Sequence, residues 1–183
     1  MTTLPNAEEV LEFWFQELEA KDWFVANAEV DELIRSRFGR LVESAAKSEL
    51  FTWRTSARSR LAEVIVLDQF SRNIYRNTAQ AFSQDPLALS LAQQAIALNL
   101  DKELGLIERS FLYMPFMHSE SKLIHQQAVE LFNISGMENN YQFELKHKVI
   151  IDRFGRYPHR NEILGRVSTN EETEFLTQPD SSF

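Results

Sequence analysis

Apolar residues recur along this chain at helical spacing, and no segment shows the sustained alternation of a half-buried strand. Val10, Leu11, Trp14, Phe15 and Leu18 form the first stripe. Asn6 precedes it, with Glu9 three residues on, the spacing of a capping box. Beyond the aromatic turn Lys21–Phe24, a second stripe of Val30, Leu33, Ile34, Phe38, Leu41, Val42 and Ala45 predicts a helix from Asn27 to near Lys47. Gly39 weakens it by about 1 kcal/mol relative to alanine. The next helix, from about Ser56 to Ser71 or a turn beyond, carries apolar residues on every side, the pattern of a helix enclosed by others. Asp68 and Arg72 project along the same line as Leu61 and Ile65, so a carboxylate and a guanidinium point inward and require partners.

Asp85–Pro86 predicts a helix start with Asp85 as the cap, followed by Leu87, Ala88, Leu91, Ala92, Ala95 and Ile96 on one face and a stop at Asn99. Leu104 to Met117 is strongly apolar, and Pro115 should kink or end it. Ser119 is the expected cap of the following helix, with Leu123, Ile124, Ala128, Leu131 and Phe132 inward and Gly136 closing it. A long helix from about Asn140 to Phe154 turns Tyr141, Leu145, Val149 and Ile150 inward, and Gly155 and Pro158 break it. Ser168 with Glu171, and Thr169 with Glu172, are two overlapping capping boxes for a short last helix through Leu176. The expectation is an all-α fold of stacked antiparallel helix pairs, about eight to nine helices in a single domain over residues 1–183. The tail from about residue 178 is expected to be loosely held.

Composition sharpens this picture in three places. The 183-residue chain has no cysteine, so thiol chemistry, disulfides and cysteine-ligated metals are excluded. No run reaches the ~18 apolar residues of a membrane span, and the first residues lack the basic-then-apolar order of a secretory signal, so a cytoplasmic location is expected. A net charge of -8 argues against a general nucleic-acid binder.

Within that acidic total, basic residues gather twice. Arg54, Arg58, Arg60, Arg72 and Arg76 fall between Thr52 and Arg76 against Glu63 and Asp68. Six lysines and arginines fall between Lys146 and Arg166 against Asp152 and Glu162. The two segments also echo each other. Residues 66–77 and 150–161 share Asp, Phe, Arg, Arg and Asn at matching positions, five identities in twelve. Such an echo predicts two helices ending in the same polar construction. If the two meet, Arg72, Asn73 and Arg76 from one and Arg153, Arg156, His159, Arg160 and Asn161 from the other line a pocket for a small anionic ligand or an acidic peptide terminus. Asp68 and Asp152 would hold the arginines in place. The carboxylate of Phe183 is a further candidate to fold back onto them.

Two other readings compete. His118, Glu120 and His159 are acid/base candidates for a hydrolase-type enzyme around the same anion. Alternatively the arginines only tie helices together through internal Asp–Arg pairs, and an exposed face engages another protein. His118-Ser119-Glu120 also reads as an ordinary helix start, and His147 as a residue facing solvent or a local carboxylate. Neither a cofactor nor a metal is expected, because no phosphate-cradling glycine loop, serine elbow or metal-ligand spacing occurs.

Several segments together resemble the bacterial proteins grouped as domain-of-unknown-function 924. These are Leu67–Arg76, Phe111–Glu120, Arg153–Asn161, Leu164-Gly165-Arg166, and Ser168-Thr169 with Glu171-Glu172, supported by Trp14-Phe15 and the Ser-Ser-Phe ending. The resemblance spans essentially the whole chain. It implies a tetratricopeptide-like stack of helix pairs and brings no activity, substrate or catalytic residue. The 84-residue offset between Asp68 and Asp152 is not a multiple of the ~34-residue tetratricopeptide period. Ser71 and Asn77 stand where proline and glycine are expected in many relatives, a difference that leaves the arginines untouched.

Overall fold

Side-chain caps set the helix starts. In the computed structural model, which describes residues 3–179, 181 and 182, Asn6 accepts from the backbone N–H groups of Glu8 and Glu9 while Glu9 accepts from the Asn6 N–H. This capping box opens α1 (Ala7–Glu12). Asn27 caps α2 (Ala28–Ala46), Ser56 caps α3 (Ala57–Ile65), and Thr169 with Glu172 caps α9 (Asn170–Phe175). The remaining α-helices are α4 (Ser71–Ile74), α5 (Asp85–Ala97), α6 (Leu106–Met117), α7 (Lys122–Phe132) and α8 (Glu138–Phe154). No strand occurs among the described residues, and the fold is all-α.

Contacts divide the chain into two compact units. The first comprises Met1–Arg76 and Gln80–Pro115. Its core is aromatic: Phe13, Phe38 and Phe70 meet with ring centroids 4.9 to 6.0 Å apart, and Trp14 lies against Phe70 and Phe111. As the all-round apolar pattern requires, every residue from Leu61 to Phe70 is buried. That helix is not uniform, however. Between α3 and α4, Val66–Phe70 forms a π-helical turn, and a second one, Phe13–Glu17, follows α1. Each accommodates one residue more than an α-helical turn, a rearrangement often found at functional sites.

The second unit comprises Asn77–Ala79 and Phe116–Phe183. Its frame is a hairpin of α7 and α8 joined by a short connection, which makes them antiparallel. Lys122 Nζ donates to Asp152 O while His125 bonds Glu144, so the strand of contacts runs in opposite directions along the two helices. Gly155 ends α8 in the left-handed conformation, φ 70°, with its N–H on Ile151 O. Ile150, Ile151 and Tyr157 form the buried apolar cluster, against which Phe154 and Phe175 pack.

Several expectations need correction. Pro115 lies inside α6, which ends two residues later at Met117. Asp85 is the first residue of α5 rather than its cap, a place held by Gln84. Ser121, not Ser119, precedes α7. The inward faces of α7 and α8 are also rotated. Leu123 is 63% exposed and Val149 65%, whereas His125, Glu144 and His147 are buried.

Candidate functional site

The π-turn places Asp68 at the centre of the first unit with its carboxylate fully enclosed. Gln69 Nε2 donates to Asp68 Oδ2 at 2.5 Å, and Arg72 Nη1 donates to Asp68 Oδ1 at 3.1 Å and to the Asp68 carbonyl at 2.9 Å. The same guanidinium forks the Asp85 carboxylate at 2.8 and 2.9 Å. Arg76 does not continue an i, i+4 ladder, because α4 ends at Ile74. It instead forks Asp31 on α2 at 2.6 and 2.8 Å, where Asn73 Nδ2 also donates at 2.7 Å. Burial alone would raise the Asp31 carboxyl, but the hydrogen bonds from Arg76 and Asn73 outweigh it and hold that carboxyl below the usual range.

The echoed segment of the second unit is built differently. Asp152 is exposed and pairs with Lys148 one turn back on α8. With Gly155 ending the helix, Arg156 leaves the helical path and forks Glu172, Nε to Oε1 at 2.7 Å and Nη2 to Oε2 at 2.8 Å. Its Nη2 also donates to Val167 O. These Arg156 bonds, against the opposing effect of burial, take the Glu172 carboxyl down to about 2. Arg153 donates to Glu171 Oε1 at 2.8 Å, and its guanidinium lies 4.7 Å from the Phe154 ring centroid. Phe154 in turn meets Phe175 at 5.1 Å. Two consecutive glutamates and one phenylalanine of α9 are thereby held on the end of α8.

Beyond the arginines, the chain turns around Tyr157. The Tyr157 hydroxyl donates to Met117 O at 2.5 Å, and its backbone N–H donates to Glu120 Oε1 at 2.8 Å. Arg160, 6% exposed, stacks 4.5 Å above the Tyr157 ring. His159 lies 5.5 Å from the same ring, and Asn161 Nδ2 donates to Ser168 Oγ at 3.0 Å. Arg166 forks Glu120 at 2.6 and 2.9 Å. Burial pushes the Glu120 carboxyl up, but Arg166 and the Tyr157 N–H prevail and keep it lowered. An ionised, doubly engaged Glu120 is poorly suited to donate a proton.

Sequence reasoning missed the polar interior of this unit. His125 and Glu144 are completely buried and bonded, Nδ1 to Oε1, at 2.7 Å. His147, expected near solvent, is buried with its ring edge-on to Tyr157 at 5.8 Å and its Nδ1 on Phe143 O at 2.7 Å. Burial, reinforced by His118, His125 and His159, lowers its pKa to about 3. The other three histidines of the chain are therefore within electrostatic reach of His147. One signal was present: His125, Glu144 and His147 lie on stripes that also carry Ala128, Phe132 and Ile151. The carboxylate of Phe183 lies outside the described residues.

Among the described residues, no group of three or more His, Asp or Glu side chains is arranged to hold a metal, and no helix is long and apolar enough to cross a membrane. Among curated proteins none matches this chain. The solved structure of ATU0120, a protein of unknown function from Agrobacterium tumefaciens, is similar at 37% identity with a TM-score of 0.88, covering 93% of this chain and 96% of that one. A family model described as bacterial protein of unknown function, DUF924, matches residues 10–180. Extending over nearly the whole fold, that match shows that the chain belongs to the DUF924 family of bacterial proteins.

Proposed function

We propose that this protein is a helical binding protein whose second unit recognises acidic peptide segments. The reading rests on one observation, the way Arg153 and Arg156 hold Glu171 and Glu172 while Phe154 receives Phe175. A forked guanidinium selects a planar carboxylate, and the neighbouring aromatic surface adds an apolar anchor. The ligand class is thus a short helical segment with two consecutive acids and an aromatic residue three positions after the second. On the turn that follows Arg156, the half-buried His159 extends the surface for a terminal carboxylate, while the buried Arg160 and Asn161 hold the turn in place. In the first unit, Arg72, Asn73 and Arg76 have a different part in this reading. Closed on Asp68, Asp85 and Asp31, they cross-link α2, α4 and α5 and hold the helices in register.

Fluorescence anisotropy of a labelled peptide copying residues 168–178, titrated with the full chain, tests the proposal. Saturable binding that weakens with salt, and that Arg156→Glu lowers at least tenfold, is expected. A peptide carrying lysine at the two glutamate positions should recover affinity for the Arg153→Glu, Arg156→Glu double variant. Equal binding of the acidic peptide to wild type and to that double variant would refute peptide recognition by this surface.

A further inference from the structure

His125 and Glu144 tie α7 to α8 in a place that solvent does not reach. The hydrogen-bond pattern fixes how many protons the pair can hold. His125 Nε2 lies 2.8 Å from Ser119 O. A carbonyl only accepts, so Nε2 must carry a hydrogen. Nδ1 then faces Glu144 Oε1 at 2.7 Å, and one proton has to lie between them. Glu144 Oε2 is buried and has no hydrogen-bond partner among the described residues. An ionised carboxylate would leave charge on that unsolvated oxygen, whereas the acid form leaves only a neutral carbonyl oxygen there. The proton therefore belongs to the carboxyl, which donates to the Nδ1 lone pair of a neutral imidazole. Burial acts in the same direction on Glu144, raising its pKa above the ordinary value of 4.5 against the opposing pull of His125 and Lys148.

We infer that Glu144 and His125 form a one-proton lock on the α7–α8 hairpin, closed while the carboxyl keeps its proton and opened when alkali removes it. Without that proton two acceptors must face each other. Either Nδ1 opposes the carboxylate or, after a tautomer change, Nε2 opposes Ser119 O. The groups around the pair do not supply a substitute. His147, the next ionisable residue along α8 on this side, is kept neutral by burial, and Lys148 is committed to Asp152. His118 precedes α7, and His159 packs against the Tyr157 ring, 5.5 Å from its centroid. Tyr157 places its hydroxyl 3.3 Å from His125 Nε2 while donating to Met117 O. Opening the lock thus also loosens the turn that follows α8. The inference stands whether or not the arginine surface binds peptides.

The sign of the pH dependence follows from the raised carboxyl. Stability contributed by the acid form is complete below the unfolded value and is lost as pH rises through the folded one. Carbon-13 NMR of the glutamate carboxyl groups in the full chain, from about pH 5 to pH 9, reads this directly, since ordinary glutamates ionise near 4.3. One carboxyl carbon is expected to keep its acid-form shift after the other glutamates have ionised, and to be missing from Glu144→Gln. The wild-type Tm should fall as that carbon titrates. In Glu144→Gln, whose amide N–H replaces the acid proton toward Nδ1, the fall should disappear. If that variant does not fold, the wild-type carboxyl and His125 ring-nitrogen shifts still decide. A Glu144 that ionises together with the other glutamates, beside either form of the imidazole, overturns the assignment.

Discussion

Arg156 reaches from just beyond the end of α8 to Glu172 in α9, forking both carboxylate oxygens at 2.7 and 2.8 Å while Thr169 N–H donates to the same carboxylate at 2.8 Å. Glu172 thus serves at once as the partner of Arg156 and as half of the capping box that starts α9. A lowered carboxyl stabilises the fold fully above its unfolded value, and that stability is lost as pH falls through the folded one. The window therefore runs from about 4.5 down to about 2. Glu172→Gln should flatten the acid limb of Tm against pH in this window and should lower Tm at neutral pH. An unchanged acid limb, measured by circular dichroism, would show that Arg156 does not set the ionisation of Glu172.

A second carboxylate offers a cleaner test of pairing. Glu63 is 1% exposed and is forked by Arg54 Nε and Nη2 at 2.8 and 2.7 Å. Removing only the guanidinium strands a buried charge, so Arg54→Ala should cost about 3 kcal/mol by urea denaturation. The double variant Arg54→Met, Glu63→Leu, which removes both charges, should recover most of that loss. Equal destabilisation by the single and double variants would count against a desolvation cost.

His147 supplies the opposite kind of titration. Its folded value of about 3 lies below the ordinary 6.5, because burial disfavours the charged ring. The unfolded chain consequently binds a proton first, and stability falls as pH drops from about 6.5 toward 3. Linkage puts the loss at about 2 kcal/mol by about pH 5. His147→Phe removes the titrating ring and should abolish this contribution. NMR of the His147 ring provides the direct check: a midpoint above about pH 6 contradicts the buried, neutral state.

Gly155 ends α8 at φ 70°, and a methyl group there would meet nothing within 4 Å. The cost of Gly155→Ala is accordingly one of backbone conformation alone, about 1 kcal/mol. Gly155→Asn should cost less, since asparagine tolerates the left-handed region better. A loss several times larger in the alanine variant would point to side-chain crowding that the structure does not contain.

How much of this was readable beforehand depended on which residues faced inward. The central helix was legible because Leu61 to Phe70 is apolar around nearly all its circumference, and the Asp68–Arg72 pairing follows from i, i+4 spacing. The start of α9 was legible because Thr169 and Glu172 have no competing role in a longer stripe. α7 and α8 were misread for a physical reason. Their buried positions include Glu144 and the histidines His125 and His147, whose ring nitrogens bond Glu144 Oε1 or the backbone, while Leu123, Phe143 and Val149 are left exposed. Hydropathy assigns such a stripe to the outside. The echo between residues 66–77 and 150–161 concealed a further difference: Asp68 is enclosed beside Arg72, whereas Asp152 is at the surface beside Lys148. Identical letters at matched positions carried no information about which carboxylate needs a guanidinium.

The extra residue taken up by the π-turn at Val66–Phe70 has a bearing on mutational tolerance. Losing any one residue between Ile65 and Ser71 would allow an uninterrupted α-helix, a change that looks harmless by local propensity. It would also leave everything downstream in phase with Leu61 and Ile65, because the wider turn already absorbs one residue more than an α-helical turn holds. Arg72 would still face Asp85, and Asn73 and Arg76 would still face Asp31. Single-residue shortening here should therefore be far less damaging than the same loss within α3, where it would rotate the groups downstream by about 100°, and the irregular winding behaves as a phase adjuster for the charged groups that follow it.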